Sequence, residues 1–309
     1  MTITRAQISK QLIPGLNAVF GTAYKMVENE HSVLFDQEKS NRSFEQEVMF
    51  TGLGQAPEKL EGQSVFFDDM VETYTATYNH VTIALGYGIT EEVIEDNLYA
   101  ENARMRSQAL GRAMAVTKQV RAADVYNNAR NSAYLGGDGV ELCATTHPTL
   151  TGNQSNLGTA AALSETAIEQ AIIDIADYKD ERGILISAQA LSLHIPPALM
   201  FTAAKIFDST LSTTLYNVTS VGATSRNDIN AVRSKGILPR GYHINHRFSS
   251  TTAWYIRTDV TNGLKHFVRV PLKTGSEGDF DTGNFRYKAR ERYSFGWSDW
   301  RAIYGNAGA

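Results

Sequence analysis

The chain has 309 residues, of which 42% are hydrophobic, 20% charged and 10% aromatic, and its formal net charge is −4. This composition is ordinary for a globular protein and argues against extensive disorder. A single cysteine, Cys143, excludes an intramolecular disulfide and a zinc–cysteine cluster. The net negative charge disfavours a dedicated DNA-coating protein, and no stretch approaches the roughly 18 apolar residues of a membrane span.

The first 43 residues predict an extended arm with one or two helical turns, because a short apolar-periodic piece is interrupted by Pro14 and Gly15. Phe44–Phe50 predicts an outbound strand, and residues 64–89 predict a long return strand after a glycine-rich turn. We expect a long hairpin with little apolar surface near its tip. Such a hairpin has no core of its own and requires support from elsewhere.

Residues 91–130 contain no proline and a single glycine, Gly111, which predicts a long helix with Thr90 as its N-cap. A continuous helix of this length would span roughly 60 Å. The alternative is two helices broken near Gly111. The predicted apolar stripe is narrow and consists of Ile94, Leu98, Met105, Ala109, Val116, Val120 and Ala123.

The middle of the chain mixes helices and strands, which predicts an α+β protein. A helix is expected from near Ser164, or from a capping box at Thr166 and Glu169, and another is expected from Pro196 through Phe207. Between residues 209 and 228 the composition predicts a long hydroxyl-rich loop. Strands are expected at residues 183–188, 191–195, 241–248, 253–260 and 265–272.

The chain closes on a strand with strict alternation. Its even positions are basic, whereas its odd positions are mostly apolar. In an extended chain the two sets point to opposite faces, so we expect one basic face and one buried aromatic face. The even set is Arg286, Lys288, Arg290 and Arg292, and the odd set includes Tyr287, Ala289, Tyr293 and Phe295.

Motifs of nucleotide binding, zinc binding and nucleophilic catalysis are absent from the sequence. His243, His246 and His266 could be considered metal ligands, but strand residues three apart face opposite ways, which favours ordinary histidines. Residues 279–284 are read as a turn rather than a calcium loop. The basic strand could bind nucleic acid with its aromatic residues as stacking platforms, but rings opposite the bases favour a core and an interface.

The order of an acidic hairpin, a long helix, a mixed α/β region and returning strands resembles the major capsid proteins of tailed bacteriophages. These proteins share the Hong Kong 97 capsid fold with encapsulin shells. The likeness is greatest to the Mu-like branch, where a His-Pro loop ending in Ser-Asn precedes the second helix and an Arg-Glu-Arg strand closes the chain. The stretches that carry it are DGVELCATTHPTLTGNQSN, GILISAQALSLHIPP, AWYIRTDV and GDFDTGNFRYKARERYSFGWSDWRAIYG.

The resemblance covers nearly all of the chain from about Phe44. It implies an N-terminal arm, an extended loop, a peripheral domain with a spine helix, an axial domain, and peripheral strands whose last residues return to the axial domain. Their expected bounds are residues 1–43, 44–88, 89–150, 151–262 and 263–309. The hydroxyl-rich loop would then line the five- and six-fold axes.

The resemblance also implies a structural role: a major head subunit, not an enzyme and without a cofactor. It would assemble into pentamers and hexamers of an icosahedral shell around double-stranded DNA, without reading the DNA sequence. The implied partners are further copies of the chain, a portal, possible cement or decoration proteins, and a scaffold. Because the chain has no room for a long scaffolding region, the scaffold would be a separate protein or the chain already trimmed. The implied location is the virion, after assembly in the host cytoplasm and with no membrane partner.

In this family the extended loop lies over a neighbouring subunit, and charge predicts where it binds. Residues 36–72 carry nine acidic and three basic residues, a local net charge of −6. We therefore expect the acidic loop of one subunit to pack against the basic strand of the next. The candidate contact residues are Glu58, Lys59, Glu61, Asp68, Asp69, Glu72, Arg286, Lys288, Arg290 and Arg292.

Four alternatives stay open from the sequence alone. Some family members crosslink a loop lysine to a neighbour, and Lys59 lies near the loop tip, but no matching asparagine and glutamate signature is visible. An encapsulin-like compartment would use the same fold with a cargo enzyme and no portal. An α+β hydrolase or deaminase would be a monomer with a substrate pocket, and a DNA-binding protein would bind as a free subunit in a salt-dependent way.

Overall fold

The computed structural model describes residues 5–90, 92, 99–210, 229–278 and 283–309. The chain divides into two compact units, each built from three segments. The first unit comprises Met1–Glu45, Tyr78–Ala122 and His266–Phe295. The second unit comprises Gln46–Thr77, Ala123–Lys265 and Gly296–Ala309.

The described helices and strands confirm the predicted α+β class. In chain order they are α1 (Arg5–Met26), α2 (His31–Leu34), β1 (Asp36–Lys39), β2 (Phe44–Phe50), β3 (Glu72–Asn79), β4 (Val81–Ile89), α3 (Tyr99–Asn127), β5 (His147–Thr149), β6 (Gly152–Gln154), β7 (Leu157–Gly158), α4 (Glu165–Ala176), β8 (Ala190–Ile195), α5 (Met200–Asp208), α6 (Ala231–Lys235), β9 (Tyr242–Ile244), β10 (Trp254–Thr258), β11 (Leu264–Gly278), β12 (Phe285–Trp297) and β13 (Ile303–Asn306). Short 3₁₀ turns occupy Pro197–Leu199 and Trp300–Ala302. None of the helices described combines the length and hydropathy that a bilayer crossing requires.

The first unit is built on a four-stranded sheet with the order β1-β11-β12-β4. β12 and β4 are antiparallel, with Phe285 opposite Ile89 and Tyr293 opposite Val81. The buried face of β12 packs with α1 and α3 into one apolar cluster. The predicted alternation of the closing strand is confirmed, because its basic positions lie on the face opposite that cluster.

The predicted extended arm is wrong, because α1 runs through both Pro14 and Gly15. Leu16 and Phe20 lie one turn apart on this helix and are both buried in the cluster. Burial of two large side chains contributes roughly 3–6 kcal/mol, which is enough to offset the roughly 3 kcal/mol that an interior proline costs a helix. Tertiary packing thus overrides the local breaker.

The long helix α3 is continuous from Tyr99 to Asn127, so the alternative of a break near Gly111 is wrong. A Cβ atom on Gly111 would lie 2.7 Å from the carbonyl oxygen of Phe20. The glycine is therefore explained by the close approach of α1 and not by a bend. The predicted start after Thr90 lies outside the described residues.

Of the predicted apolar stripe on the long helix, Ala123 is fully buried and Val116 half-buried, while Ile94 and Leu98 lie outside the described residues. Met105, Ala109 and Val120 are exposed. The buried face combines the large apolar residues Leu110 and Met114 with small and polar residues that a hydropathy pattern does not detect: Ala103, Ser107, Ala115, Gln119 and Ala122. The polar members are satisfied within the first unit, since Ser107 donates to the carbonyl of Leu16 at 3.0 Å.

The outbound strand β2 matches its predicted bounds, but the return strand is wrong as a single element. Residues 64–71 are not a strand, and the remainder is divided at His80 into β3, which pairs with β2, and β4, which pairs with β12. The ring of His80 is buried between the hydroxyls of Ser294, 3.0 Å from Nδ1, and Ser40, 2.8 Å from Nε2. This polar anchor marks the point where the chain changes sheets.

The second unit is built on a five-stranded sheet with the order β7-β13-β10-β8-β9. Ser164 caps α4 by accepting from the backbone N–H of Ala167, which confirms the predicted helix start. The helix predicted after Pro196 is confirmed as a 3₁₀ turn followed by α5. Helix α4, α5 and the sheet enclose a core that includes Trp254 and Trp300.

The strands predicted at residues 191–195 and 253–260 correspond to β8 and β10. The strand predicted at residues 183–188 is wrong: the chain turns there, and Gly183 has a φ of +83°, which suits a turn. The strand predicted at 241–248 shortens to β9, and the one at 265–272 lengthens to β11. Most of the predicted hydroxyl-rich loop and of the turn at 279–284 lies outside the described residues.

Candidate subunit interface

The basic face of β12 is exposed along most of its length. Arg286, Lys288 and Arg290 are exposed, while Arg292 is half-buried and donates from Nη2 to the carbonyl of Ser43 at 3.4 Å. Like charges on alternate residues of a strand repel one another unless a partner or solvent screens them. The face is therefore suited to an acidic surface on another molecule.

The neighbouring strand β4 has small residues opposite the basic positions of β12. Arg286, Lys288 and Arg290 are paired across β4 with Gly88, Gly86 and Ala84, respectively. A Cβ atom on Gly86 would lie 2.8 Å from the carbonyl oxygen of Tyr287. The small residues leave the basic face unobstructed.

The opposite face of β12 contains an acid that the predicted alternation did not emphasise. Glu291 is buried and accepts from Nζ of Lys118 on α3 at 3.0 Å. The pKa of Tyr293 beside it is raised by burial and, secondarily, by the charge of Glu291. This internal pair separates Glu291 from the exposed basic face.

The predicted hairpin candidates lie on the loop between β2 and β3, except Glu72, which is the first residue of β3. Glu58, Lys59 and Glu61 are exposed near the tip, and Asp69 and Glu72 are exposed on the return side. They belong to the second unit, whereas the basic face of β12 belongs to the first. The exposed members are available to a second molecule.

Asp68 is different from the other acidic candidates, because it is paired within its own chain. Its Oδ2 accepts from Nη1 of Arg182 at 2.6 Å and from the backbone N–H of Gly54 at 2.7 Å. The guanidinium of Arg182 is the main reason that the pKa of Asp68 lies below its usual value, and the Gly54 N–H adds to this effect. Asp68 thus holds the loop rather than a neighbour.

The expectation of little apolar surface near the loop tip is wrong. Phe66 and Phe67 are 68% and 89% exposed. Further large apolar side chains on the loop are also exposed: Leu53, Leu60, Val65, Met70 and Val71. An exposed apolar stretch of this size is typical of a protein–protein contact. The signal was the run VFFDDMV, which we assigned to the return strand.

The base of the same loop is fixed by a buried lysine. Glu47 on β2 accepts from Nζ of Lys265 and from the hydroxyl of Ser298. Because Lys265 is buried, solvent and salt screen this ion pair only weakly. The base of the loop is therefore held in a defined position within the second unit.

The His-Pro loop of the resemblance contains a buried polar network. His147 Nδ1 lies 2.6 Å from Asp138, and its ring stacks on Trp300 with centroids 4.3 Å apart. Asn156 accepts from the N–H of Ala144 at 2.9 Å through Oδ1. Its Nδ2 donates to the carbonyls of Leu142, Trp300 and Ile303. These contacts join the loop to the closing residues, so the motif is structural.

A second buried network surrounds Arg301. Its Nη2 donates to Glu181 at 2.8 Å, and its backbone N–H donates to Asp299 at 2.9 Å. Burial raises the pKa of Asp299, although the Arg301 charge opposes this shift. The Arg301 side chain also lies 4.3 Å from the ring centroid of Trp300. These groups anchor residues 179–184 to the end of the chain.

Two of the three histidines considered as metal ligands, His266 and His243, have ordinary surroundings, and the third, His246, is exposed. His266 is buried and stacks on Phe295 with centroids 4.3 Å apart. Burial, followed by the charges of Lys118 and His31, lowers the pKa of His266 to about 3. His243 is half-buried, and burial lowers its pKa.

Several solved capsid structures have a similar fold. The capsid of cyanophage P-SCSP1u matches with a TM-score of 0.57 and 12% identity, over 89% of this chain and 86% of that one. The procapsid of bacteriophage JBD30 matches with a TM-score of 0.50 and 15% identity, over 98% and 76%. The holo-SrpI encapsulin of Synechococcus elongatus PCC 7942 matches with a TM-score of 0.52 and 10% identity, over 91% and 88%.

At these identities the structural matches establish the fold, which phage capsids and encapsulins share. No curated protein matches the sequence. A family model described as "Phage capsid protein" matches residues 73–306, which is most of the chain. The chain therefore belongs to the phage capsid protein family and is a structural shell subunit with the Hong Kong 97-like fold.

Proposed function

We propose that this chain is the major head subunit of a tailed phage or prophage, forming the pentamers and hexamers of an icosahedral shell around double-stranded DNA. The family match over residues 73–306 carries the proposal. The proposed partners besides further copies are a portal, a scaffold and a cement or decoration protein. The shell would assemble in the host cytoplasm, and the subunit would have no catalytic activity. The Mu-like branch stays a prediction.

The parts of the fold are proposed to be those implied by the resemblance. These are an arm (1–43), an extended loop (44–88), a peripheral domain with a spine helix (89–150), an axial domain (151–262) and closing peripheral strands (263–309). The arm would be helical, because α1 runs through it. The exposed stretch at residues 53–71 supports the extended loop as the part that reaches a neighbour.

The proposed contact combines charge with apolar burial. Exposed acids of the loop, Glu58, Glu61, Asp69 and Glu72, would face the basic residues Arg286, Lys288 and Arg290 of the next subunit. Charge would set partner and register, while burial of Phe66 and Phe67 would supply most of the affinity. Asp68 is the exception, because it pairs with Arg182 in its own chain.

Assembly tests the function directly. The full chain is expressed alone and with a candidate scaffold, then analysed by sedimentation velocity and negative-stain electron microscopy. We expect closed shells, or pentamers and hexamers. A chain that remains monomeric with every scaffold would contradict the proposal. Shells that carry a cargo enzyme instead of nuclease-protected DNA would favour a compartment of the encapsulin type, whose fold is similar.

Charge reversal tests the contact. The double variant Lys288→Glu with Arg290→Glu should reduce shell yield strongly and leave the fold of the free subunit intact, because both side chains are exposed. The matched control is Lys235→Glu with Arg240→Glu, which makes the same charge change at exposed residues outside this sheet. Equal shell yields for the wild-type chain and the β12 variant would refute the contact.

A further inference from the structure

The loop between β2 and β3 narrows at a neck, which we define as residues 51–54 and 68–71. Arg182 contacts this neck with both terminal nitrogens: Nη1 donates to Asp68 Oδ2 at 2.6 Å, and Nη2 donates to the carbonyl of Asp69. The same Asp68 oxygen accepts from the N–H of Gly54 at 2.7 Å. One guanidinium therefore holds the return side directly and the outbound side through Asp68.

The turn that presents Arg182 is rigid for local reasons. The carboxylate of Asp180 accepts from the N–H groups of Arg182 and Ile184, each at 2.8 Å. Gly183 supplies the positive φ that the turn needs. The Arg182 side chain thus starts from a fixed backbone.

The turn is also joined to the core. Next to Arg182, Glu181 is buried and accepts from Arg301 at 2.8 Å, and the carbonyl of Lys179 accepts from Nε of Arg301 at 2.8 Å. Two adjacent residues of this turn therefore point in different directions. Glu181 pairs with the buried Arg301, and Arg182 contacts the neck of the loop.

The neck fits closely around the guanidinium. A Cβ atom on Gly54 would lie 3.3 Å from Nη1 of Arg182 and 3.2 Å from Oδ2 of Asp68, which is tighter than an ordinary contact. On the side of the neck next to β2 and β3, the N–H of Thr51 donates to the carbonyl of Val71 at 2.8 Å and joins the two sides of the neck. The tip, residues 55–67, is exposed throughout.

We infer that Arg182 is a positioning residue whose guanidinium clasps the neck of the loop and fixes the base from which the tip reaches a second copy of this chain. The role of the tip rests on the function proposed above, whereas the clasp itself does not. A partly exposed ion pair contributes little to global stability. It can nevertheless reduce the conformational entropy that the loop loses on docking, which speeds assembly.

The test compares full-length Arg182→Ala, Arg182→Lys and wild-type subunits by hydrogen exchange at the neck. We expect the Gly54 amide to exchange about tenfold faster in Arg182→Ala, because its acceptor Asp68 is released. Lysine keeps the charge but replaces the two-pronged contact, so Arg182→Lys should lie between the two. Lys179→Ala is the matched control, because it removes a positive charge from the same turn. The hydrogen bonds of Lys179 to Arg301 and Gln154 are made by its backbone, which alanine retains.

Shell formation is followed for the same proteins by light scattering. We expect Arg182→Ala to assemble about tenfold more slowly, with an unfolding midpoint close to that of the wild-type chain. Unchanged exchange at Gly54 would overturn the clasp. Faster exchange with unchanged assembly would overturn the positioning role. A wild-type chain that forms no shells either alone or with a scaffold would contradict the proposed function, and Gly54 exchange would still decide the clasp.

Discussion

The loop that contains His147 and Asn156 and the neck clasped by Arg182 lie in the same unit, and polar contacts hold both. They differ in access to water. Asn156 and His147 are fully buried, whereas Arg182 and Asp68 are partly exposed. Buried polar atoms that lose a partner pay the full cost of desolvation, while exposed ones recover it from solvent. The first region therefore maintains the fold, and the second is free to serve assembly.

The largest effect should come from breaking the buried region. Asn156→Ala would remove the side-chain donor that contacts the buried carbonyls of Leu142, Trp300 and Ile303, and also the acceptor of the Ala144 N–H, at a cost of about 1–3 kcal/mol for each group left unsatisfied. We expect the free energy of unfolding, measured by chemical denaturation, to fall by about 5 kcal/mol. Asn153→Ala, an exposed asparagine of the adjacent hairpin, should change it by less than about 0.5 kcal/mol. A similar loss of unfolding free energy in Asn156→Ala and Asn153→Ala would contradict the structural role assigned to buried Asn156.

The exposed region should give the reverse result. Phe66→Ser with Phe67→Ser should leave the unfolding free energy within about 0.5 kcal/mol of wild type, because neither ring is packed in the subunit. Each subunit contact should lose about 3 kcal/mol, if the rings are partly buried on assembly. Shell yield against subunit concentration measures this loss. Leu150→Ser, at another exposed hairpin tip, is the control. A strongly destabilised subunit would contradict the assignment of this stretch to assembly.

Lowering the pH should destabilise the subunit through two buried histidines, His31 and His266, which have no acidic partner in the contacts described. Burial, aided by the charge of Lys118, lowers the pKa of His31 to about 4, and His266 is lowered to about 3. Unfolded histidine binds a proton near pH 6.5, so the unfolded chain binds more protons below that pH. Unfolding free energy should therefore fall as pH falls from 6.5, until each folded-state pKa is reached.

A single substitution isolates this contribution. His266→Phe keeps a ring that can stack on Phe295 and removes one titrating group. We expect the slope of unfolding free energy against pH to decrease by up to about 1.4 kcal/mol per pH unit between pH 6 and 5. An unchanged slope would show that His266 is already charged in the folded chain.

The smallest effect is expected from salt. Screening at 1 M salt should weaken the partly exposed Asp68–Arg182 pair by about 0.5 kcal/mol, which raises the exchange rate of the Gly54 amide roughly two- to threefold. Amides held by the buried Asn156, such as that of Ala144, should be unaffected. An equal response at Ala144 and Gly54 would mean that the two regions do not differ in exposure.

Local periodicity predicted much of this fold. The alternation of β12, the cap at Ser164 and the strand β8 depend on neighbouring residues, and each is confirmed. The errors occurred where a distant surface decides. α1 crosses Pro14 because Leu16 and Phe20 find a cluster built from later segments.

The candidate site shows the same limit. The basic face was visible from alternation alone, whereas the pairing of Asp68 with Arg182 joins residues far apart in the chain and has no local signal. The apolar stretch at Phe66 and Phe67 was visible as residues, but its exposure was not, because the return strand was expected to start there. Contact between the acidic loop and the basic face stays a prediction.

The glycine at the crossing of α1 and α3 bears on the use of this subunit in engineered containers. Replacing a helical glycine with alanine ordinarily stabilises a helix by about 1 kcal/mol. At Gly111 the added methyl carbon would lie 2.7 Å from the carbonyl of Phe20, so the usual gain would become a steric collision. Substitutions meant to stabilise the subunit should therefore leave Gly111 unchanged. They should be made at exposed residues of the same helix, such as Val120.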